Sequence, residues 1–143
     1  LENHNEALQM SPFGSRAKVV GQIGIAPGIL YNNRGSSYMQ LGLCEKALVD
    51  LNETIRLDPD DPASRLNRGT SHVRLGNYES AIEDLSHSIN LDPSNGYAFA
   101  MRAEAFTHLG REEEASQDIE QAILLGIDQA ELQDIIEPGR TCA

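Results

Sequence analysis

Tryptophan is absent from this 143-residue chain, and Phe and Tyr together make up only 5% of it. A core must therefore be assembled from Leu, Ile, Val and Ala, whose burial stabilises by ~25 cal/mol per Å² of apolar surface. Basic charge is scarce. Eleven Lys and Arg face 22 Asp and Glu, for a formal net charge of -11, and lysine occurs only at Lys18 and Lys46. That balance argues against nucleic acid, whose phosphates call for clustered Lys and Arg, and an anionic membrane surface repels such a chain for the same reason. Cysteine is limited to Cys44 and Cys142, which share neither a CxxC nor a metal-ligand spacing, so two reduced thiols are expected. No apolar run approaches the roughly 18 residues of a membrane-spanning helix, which argues against membrane insertion. No basic segment leads into an apolar one as in a secretory leader. The chain opens at Leu1 and not at Met, so it reads as an excised piece from which a targeting segment could have been cut. Localisation is left open, with the cytoplasm as the default.

Against these absences stands an internal repeat. Asn33-Arg34-Gly35 returns as Asn67-Arg68-Gly69 and, more loosely, as Met101-Arg102-Ala103. Leu41-Gly42 returns as Leu75-Gly76 and Leu109-Gly110. Ala47, Ala81 and Ala115 match, as do Leu51, Leu85 and Ile119, then Ile55, Ile89 and Ile123, and Leu57-Asp58-Pro59 matches Leu91-Asp92-Pro93. Each step is about 34 residues, the period of a helix–turn–helix unit that stacks on copies of itself.

The second copy shows the physics of one unit. Asp61 is placed to cap a helix and Pro62 suits its first position, where a missing N–H is no loss. Gly76 supplies a left-handed residue that ends this helix. Asn77 is placed to cap the next, in which Ala81, Ile82, Leu85 and Ile89 form one apolar face that ends before Pro93. A single pair is too small to bury that face alone and must stack on a neighbour. Small residues at Gly35, Gly69 and Ala103, facing Ala47, Ala81 and Ala115, let the two helices approach closely.

These features, with Tyr31 and Phe99, Tyr38 and Phe106, and the Pro59/Pro93 stops, resemble the tetratricopeptide repeat family. The resemblance implies an all-α, right-handed superhelix of three helix pairs (28–61, 62–95 and 96–127) with a C-terminal capping helix and a loose tail over 128–143. Two departures fall in the middle unit: Arg65 and His72 stand where the family prefers large aromatics, so looser packing is expected there. Ile127 replaces a third proline. Asp128 and Glu131 are spaced for a capping box, and Leu132, Ile135 and Ile136 give the last helix an apolar side that should cover the open end of the stack; Pro138-Gly139 should end it. Residues 1–27 are expected to be partly helical or disordered.

A second series has the same period: Arg34, Arg68 and Arg102, each followed sixteen residues on by Asp50, Asp84 and Asp118. The series reads as an anion-binding ladder or as one salt bridge within each unit. The salt bridge is favoured, because an unpaired buried guanidinium is costly. The acidic residues Asp58, Asp60, Asp61, Glu79, Glu83, Glu112, Glu113 and Glu114 read as a solvated outer face. His4, His72, His87 and His108 form no HExxH or paired metal spacing, and no P-loop, GxGxxG or GxSxG occurs. No catalytic residue, metal or cofactor is assigned, and His72 is expected to pack as a core residue.

The resemblance further implies a concave wall lined by the first helix of each pair. Residue by residue, this is Ile29, Asn32, Asn33, Ser36, Met39 and Gln40; then Ala63, Leu66, Asn67, Thr70, Val73 and Arg74; then Tyr97, Ala100, Met101, Glu104, Thr107 and His108. Asn33 and Asn67 match asparagines that bond a peptide backbone in the family, a task suited to an amide carrying both donor and acceptor; the alternative is that they hold their own helix pair. Tyr97 and Met101 stand where some members carry basic residues that clamp a chaperone's C-terminal carboxylate, so such tails are disfavoured. The expected function is a non-catalytic scaffold taking a partner's peptide with apolar anchors. Two other readings compete: a structural module whose wall pairs into a homodimer or is filled by residues 1–27, and a regulatory domain of a larger protein.

Overall fold

The computed structural model describes residues 27–136 and 141–142. The expectations for residues 1–26 and for Pro138-Gly139 lie outside them. Among the described residues seven helices follow in order: α1 Pro27–Gln40, α2 Cys44–Leu57, α3 Pro62–Leu75, α4 Tyr78–Leu91, α5 Gly96–His108, α6 Glu112–Leu124 and α7 Gln129–Ile135. Among the described residues there is no strand. α1 packs on α2, α3 on α4 and α5 on α6, while α2 meets α3 and α4 meets α5, so the pairs stack in series. The first helices also touch along the stack, α1 on α3 and α3 on α5. The architecture is an all-α helical repeat superhelix.

Local chemistry accounts for the helix ends. The Asp61 carboxylate accepts from the Ala63 N–H at 3.1 Å ahead of Pro62, and Asn95 accepts from the Tyr97 N–H at 3.0 Å. The first helices of units one, two and three stop at Gly42, Gly76 and Gly110, with φ of 76°, 83° and 75°, where a Cβ would be strained. Asn77 precedes α4, but its side chain makes no capping bond and turns back to His72 Nδ1 at 3.4 Å, which corrects the expected cap. Asp128 and Glu131 form the full capping box of α7.

The small residues act as expected within the first two pairs. A Cβ on Gly69 would come within 2.7 Å of Leu85 Cγ, and one on Gly35 within 3.1 Å of Leu51 Cγ, so both leucines fill the space the glycines leave. Leu51 and Leu85 are fully buried there. Second helices are tied to first-helix starts by Thr54 Oγ1 donating to the Gly28 carbonyl (3.4 Å) and Ser88 Oγ donating to the Pro62 carbonyl (2.9 Å).

Two expectations about the C-terminal region need correction. Cys44 and Cys142 are not reduced thiols; they form a disulfide with Cα atoms 5.8 Å apart, inside the range that bridging needs. Thr141 and Cys142 are therefore not a loose tail, and the Cys142 N–H also donates to the Arg74 carbonyl at 3.3 Å. The pairing was invisible in sequence because spacing says nothing about two residues that the fold brings together from 98 positions apart.

Candidate functional site: the concave wall

One ion pair joins the two helices of each unit. Arg34 Nε lies 2.7 Å from Asp50, Arg68 Nε 2.7 Å from Asp84, and Arg102 Nε 2.7 Å from Asp118, each joined by a second bond from Nη2. The aspartates are buried, and this bidentate geometry satisfies both their oxygens. The carboxylate bonds hold the guanidinium pKa of Arg34 and Arg68 above the ordinary value, against the opposing effect of burial. Sequence reasoning placed each pair within one unit and missed a second role. Arg68 Nη1 also donates to Asn52 Oδ1 at 3.0 Å, and Arg102 Nη1 to Ser86 Oγ at 2.9 Å, so each arginine reaches the preceding unit.

The middle unit departs as its residues do. In the outer units aromatics flank the arginine: Tyr31 and Tyr38 near Arg34, Phe99 and Phe106 near Arg102. In unit two the equivalent Arg65 and His72 instead approach Asp84, at 3.6 and 3.9 Å. Arg65 Nε is buried without a hydrogen-bond partner there. Burial pushes the His72 pKa below its usual value, with Asp84 opposing the shift.

Wall residues differ in access. Ile29, Asn33, Gln40, Tyr97 and His108 are exposed, as are Ala63 and Thr107. Asn32, Ser36, Leu66, Asn67 and Arg74 are half-buried. Met39, Thr70, Val73, Ala100, Met101 and Glu104 are buried. Asn67 Nδ2 donates to Asn32 Oδ1 at 3.2 Å, joining units one and two along the wall. His108 stacks on Tyr78, ring centroids 4.5 Å apart, and its Nδ1 lies 3.2 Å from the Glu104 carbonyl oxygen. Thr70 donates to the Leu66 carbonyl of its own helix.

The third unit's wall is engaged by α7. This helix contacts α5, and the Tyr97 hydroxyl donates to Glu131 Oε2 at 2.7 Å, a bond that raises the phenol pKa. Leu132 is buried among Ile89, Ala98, Phe99, Ala100, Ala122 and Ile127. Ile135 packs both there and on the cluster of Val73, Ala81, Leu85, Met101 and Ala105. The capping helix thus reaches from the end of the stack toward the middle unit. Sequence reasoning did not connect Glu131, Ile135, Thr141 or Cys142 with residues of the first helices. Glu131 stands one repeat period after Tyr97, and that spacing was the available signal.

Residues 35–105 match the family model described as tetratricopeptide repeat. The second such domain of Spaghetti (RPAP3), solved bound to the HSP90 peptide SRMEEVD, is 34% identical with a TM-score of 0.67, over 68% of this chain and 91% of that one. The second domain of human RPAP3, in complex with the HSP70 peptide SGPTIEEVD, is 30% identical with a TM-score of 0.69, over 76% and 91%. A domain of yeast Sti1, at 20% identity and a TM-score of 0.70 over 76% and 92%, shares the fold. No curated protein sequence matches the chain. With three stacked helix pairs, a matching family model and a relative of this identity covered over nine-tenths of its length, the chain belongs to the tetratricopeptide repeat family.

Proposed function

We propose that the chain is a non-catalytic scaffold that takes a peptide segment of a partner protein on its concave wall. The observation that carries this reading is the amide pair at the junction of units one and two: Asn32 steadies half-buried Asn67 at 3.2 Å, and Asn33, next to Asn32 in α1, is exposed. Asn33 and Asn67 bond the peptide backbone, while Ile29, Leu66 and Tyr97 take its apolar side chains. Ser36, Gln40, Arg74 and His108 edge the same surface. Met39, Thr70, Val73, Met101 and Glu104 support it from beneath. A net charge of -11 favours peptides that carry basic residues around their apolar anchors.

The similar domains of RPAP3 hold acidic chaperone tails. This wall is less suited to them. Met101 is buried, and the Tyr97 hydroxyl is already committed to a carboxylate, Glu131.

The test is a titration of isotope-labelled protein with short peptides carrying Leu or Ile anchors between arginines, with SRMEEVD as comparison. The amide signals of Asn33, Asn67 and Tyr97 are expected to move with the arginine-flanked peptides and less with SRMEEVD. Unmoved signals at all three residues, or stronger movement with SRMEEVD, contradict the assignment.

A further inference from the structure

The disulfide does more than close a loop; it seats Thr141 and Cys142 beside the ends of α1 and α3. Met39 and Gln40 end α1, Arg74 lies in the last turn of α3, and all three are among the residues proposed above for the peptide wall. Thr141 and Cys142 sit with them around one cavity of about 330 Å³ that Gly42 completes. The Cys142 N–H donates to the Arg74 main-chain carbonyl at 3.3 Å, a backbone bond of the kind a bound peptide makes. Its sulfur is joined to Cys44, which is fully buried in the first turn of α2. Further along the wall, α7 holds Tyr97 through Glu131 and lays Ile135 on the cluster that includes Val73 and Met101. The third-unit end and the unit-one end of the wall are thus both met by residues from the C-terminal side of the chain.

We propose that Thr141 and Cys142 are an intramolecular occupant of the peptide groove, locked in place by the Cys44–Cys142 bond, and that reduction by a dithiol opens the site to a partner. The proposal rests on the peptide-binding reading for its consequence, while the occupancy itself is measurable without any peptide. The chemistry balances by thiol–disulfide exchange. A thiolate of the dithiol attacks Cys142 Sγ, the more accessible sulfur, and forms a mixed disulfide. Cys44 leaves as thiolate and takes up a proton. The second thiol of the reagent then closes the reagent's own disulfide and releases Cys142, so two electrons and two protons pass to the protein. In the locked state the groove is open for only a small fraction of the time, and apparent affinity falls by that fraction. Once the bond is cut, Thr141 and Cys142 keep the Cys142–Arg74 backbone bond and one side of the cavity, and a peptide that spans the wall displaces them.

The experiment uses the full chain in three forms: air-oxidised, dithiothreitol-reduced, and the Cys142→Ser variant. A maleimide mass tag under denaturing conditions first reads the thiols, with none expected to label in the oxidised chain and two in the reduced one. Hydrogen exchange then reads the ends of α1 and α3, residues 39–42 and 73–76. At least a fivefold faster exchange is expected there on reduction and in Cys142→Ser, with little change in α6. Binding of a fluorescent Leu/Arg peptide is expected to tighten at least tenfold in the same two forms. Two labelled thiols in the oxidised chain, or identical exchange in all three forms, overturn the proposal. Equal peptide affinity in oxidised and reduced chains overturns the blocking role. A reduction-dependent change in exchange with no peptide bound by any form keeps the occupancy and refutes the peptide-binding reading instead.

Discussion

Asn67 Nδ2 donates to Asn32 Oδ1 at 3.2 Å, across the boundary between the first and second helix pairs. Both residues are half-buried, so the bond is a positioning device more than a large source of stability. Replacing Asn32 by Ala should lower stability by no more than about 1 kcal/mol in a thermal melt. The same variant should weaken peptide binding severalfold, because the Asn67 amide loses the partner that aims it.

The three arginine–aspartate pairs are alike in length but not in surroundings. Among the described residues Asp118 pairs with Arg102, whereas Asp84 faces Arg65 at 3.6 Å and His72 at 3.9 Å as well as Arg68. Arg102→Ala should therefore cost about 3 kcal/mol, as an uncompensated buried carboxylate does. Arg68→Ala should cost less, about 1–2 kcal/mol, since positive charge remains near Asp84. Chemical denaturation of both variants at neutral pH checks the order.

Gly69 and Gly35 occupy equivalent places with different clearance. A Cβ at Gly69 would lie 2.7 Å from Leu85 Cγ, while at Gly35 the nearest atom of Leu51 is 3.1 Å away. Alanine gains about 1 kcal/mol of helix propensity at either position and loses about 1–3 kcal/mol to overpacking. Gly69→Ala should be net destabilising by about 1–2 kcal/mol and Gly35→Ala nearly neutral. Paired melting curves decide it.

His72 adds a pH dependence. Its folded pKa lies below the unfolded value of 6.5 because burial disfavours the imidazolium, with Asp84 pulling the other way. The unfolded chain therefore binds the proton first. Stability is full above pH about 6.5 and falls as pH drops from there through the lower folded pKa. His72→Gln should flatten this slope between pH 7 and 5 in denaturant titrations.

The helices, their turns and the ion pairs were legible because each recurs. A repeat prints the same constraint three times, so Gly76 or Asp84 could be read from its copies. Asn77 was misread because its capping role rested on residue type alone, and His72 offered its side chain another partner. The tie between neighbouring units through Arg68 and Asn52 has no signature at the level of one unit; it exists only once units are stacked. The disulfide and the reach of α7 over the third unit escaped for a related reason. Cys44, Cys142 and Ile135 have no copies, and the partner of each is set only once the units are stacked.

The most direct test is the affinity of the reduced protein for an apolar-anchored, arginine-flanked peptide, measured by fluorescence anisotropy beside the Asn33→Ala/Asn67→Ala double variant. Loss of at least tenfold in affinity, with the melting temperature lowered no further than in Asn32→Ala, which loses the same Asn67–Asn32 bond, is the predicted result. Equal affinity in the two proteins would contradict the account.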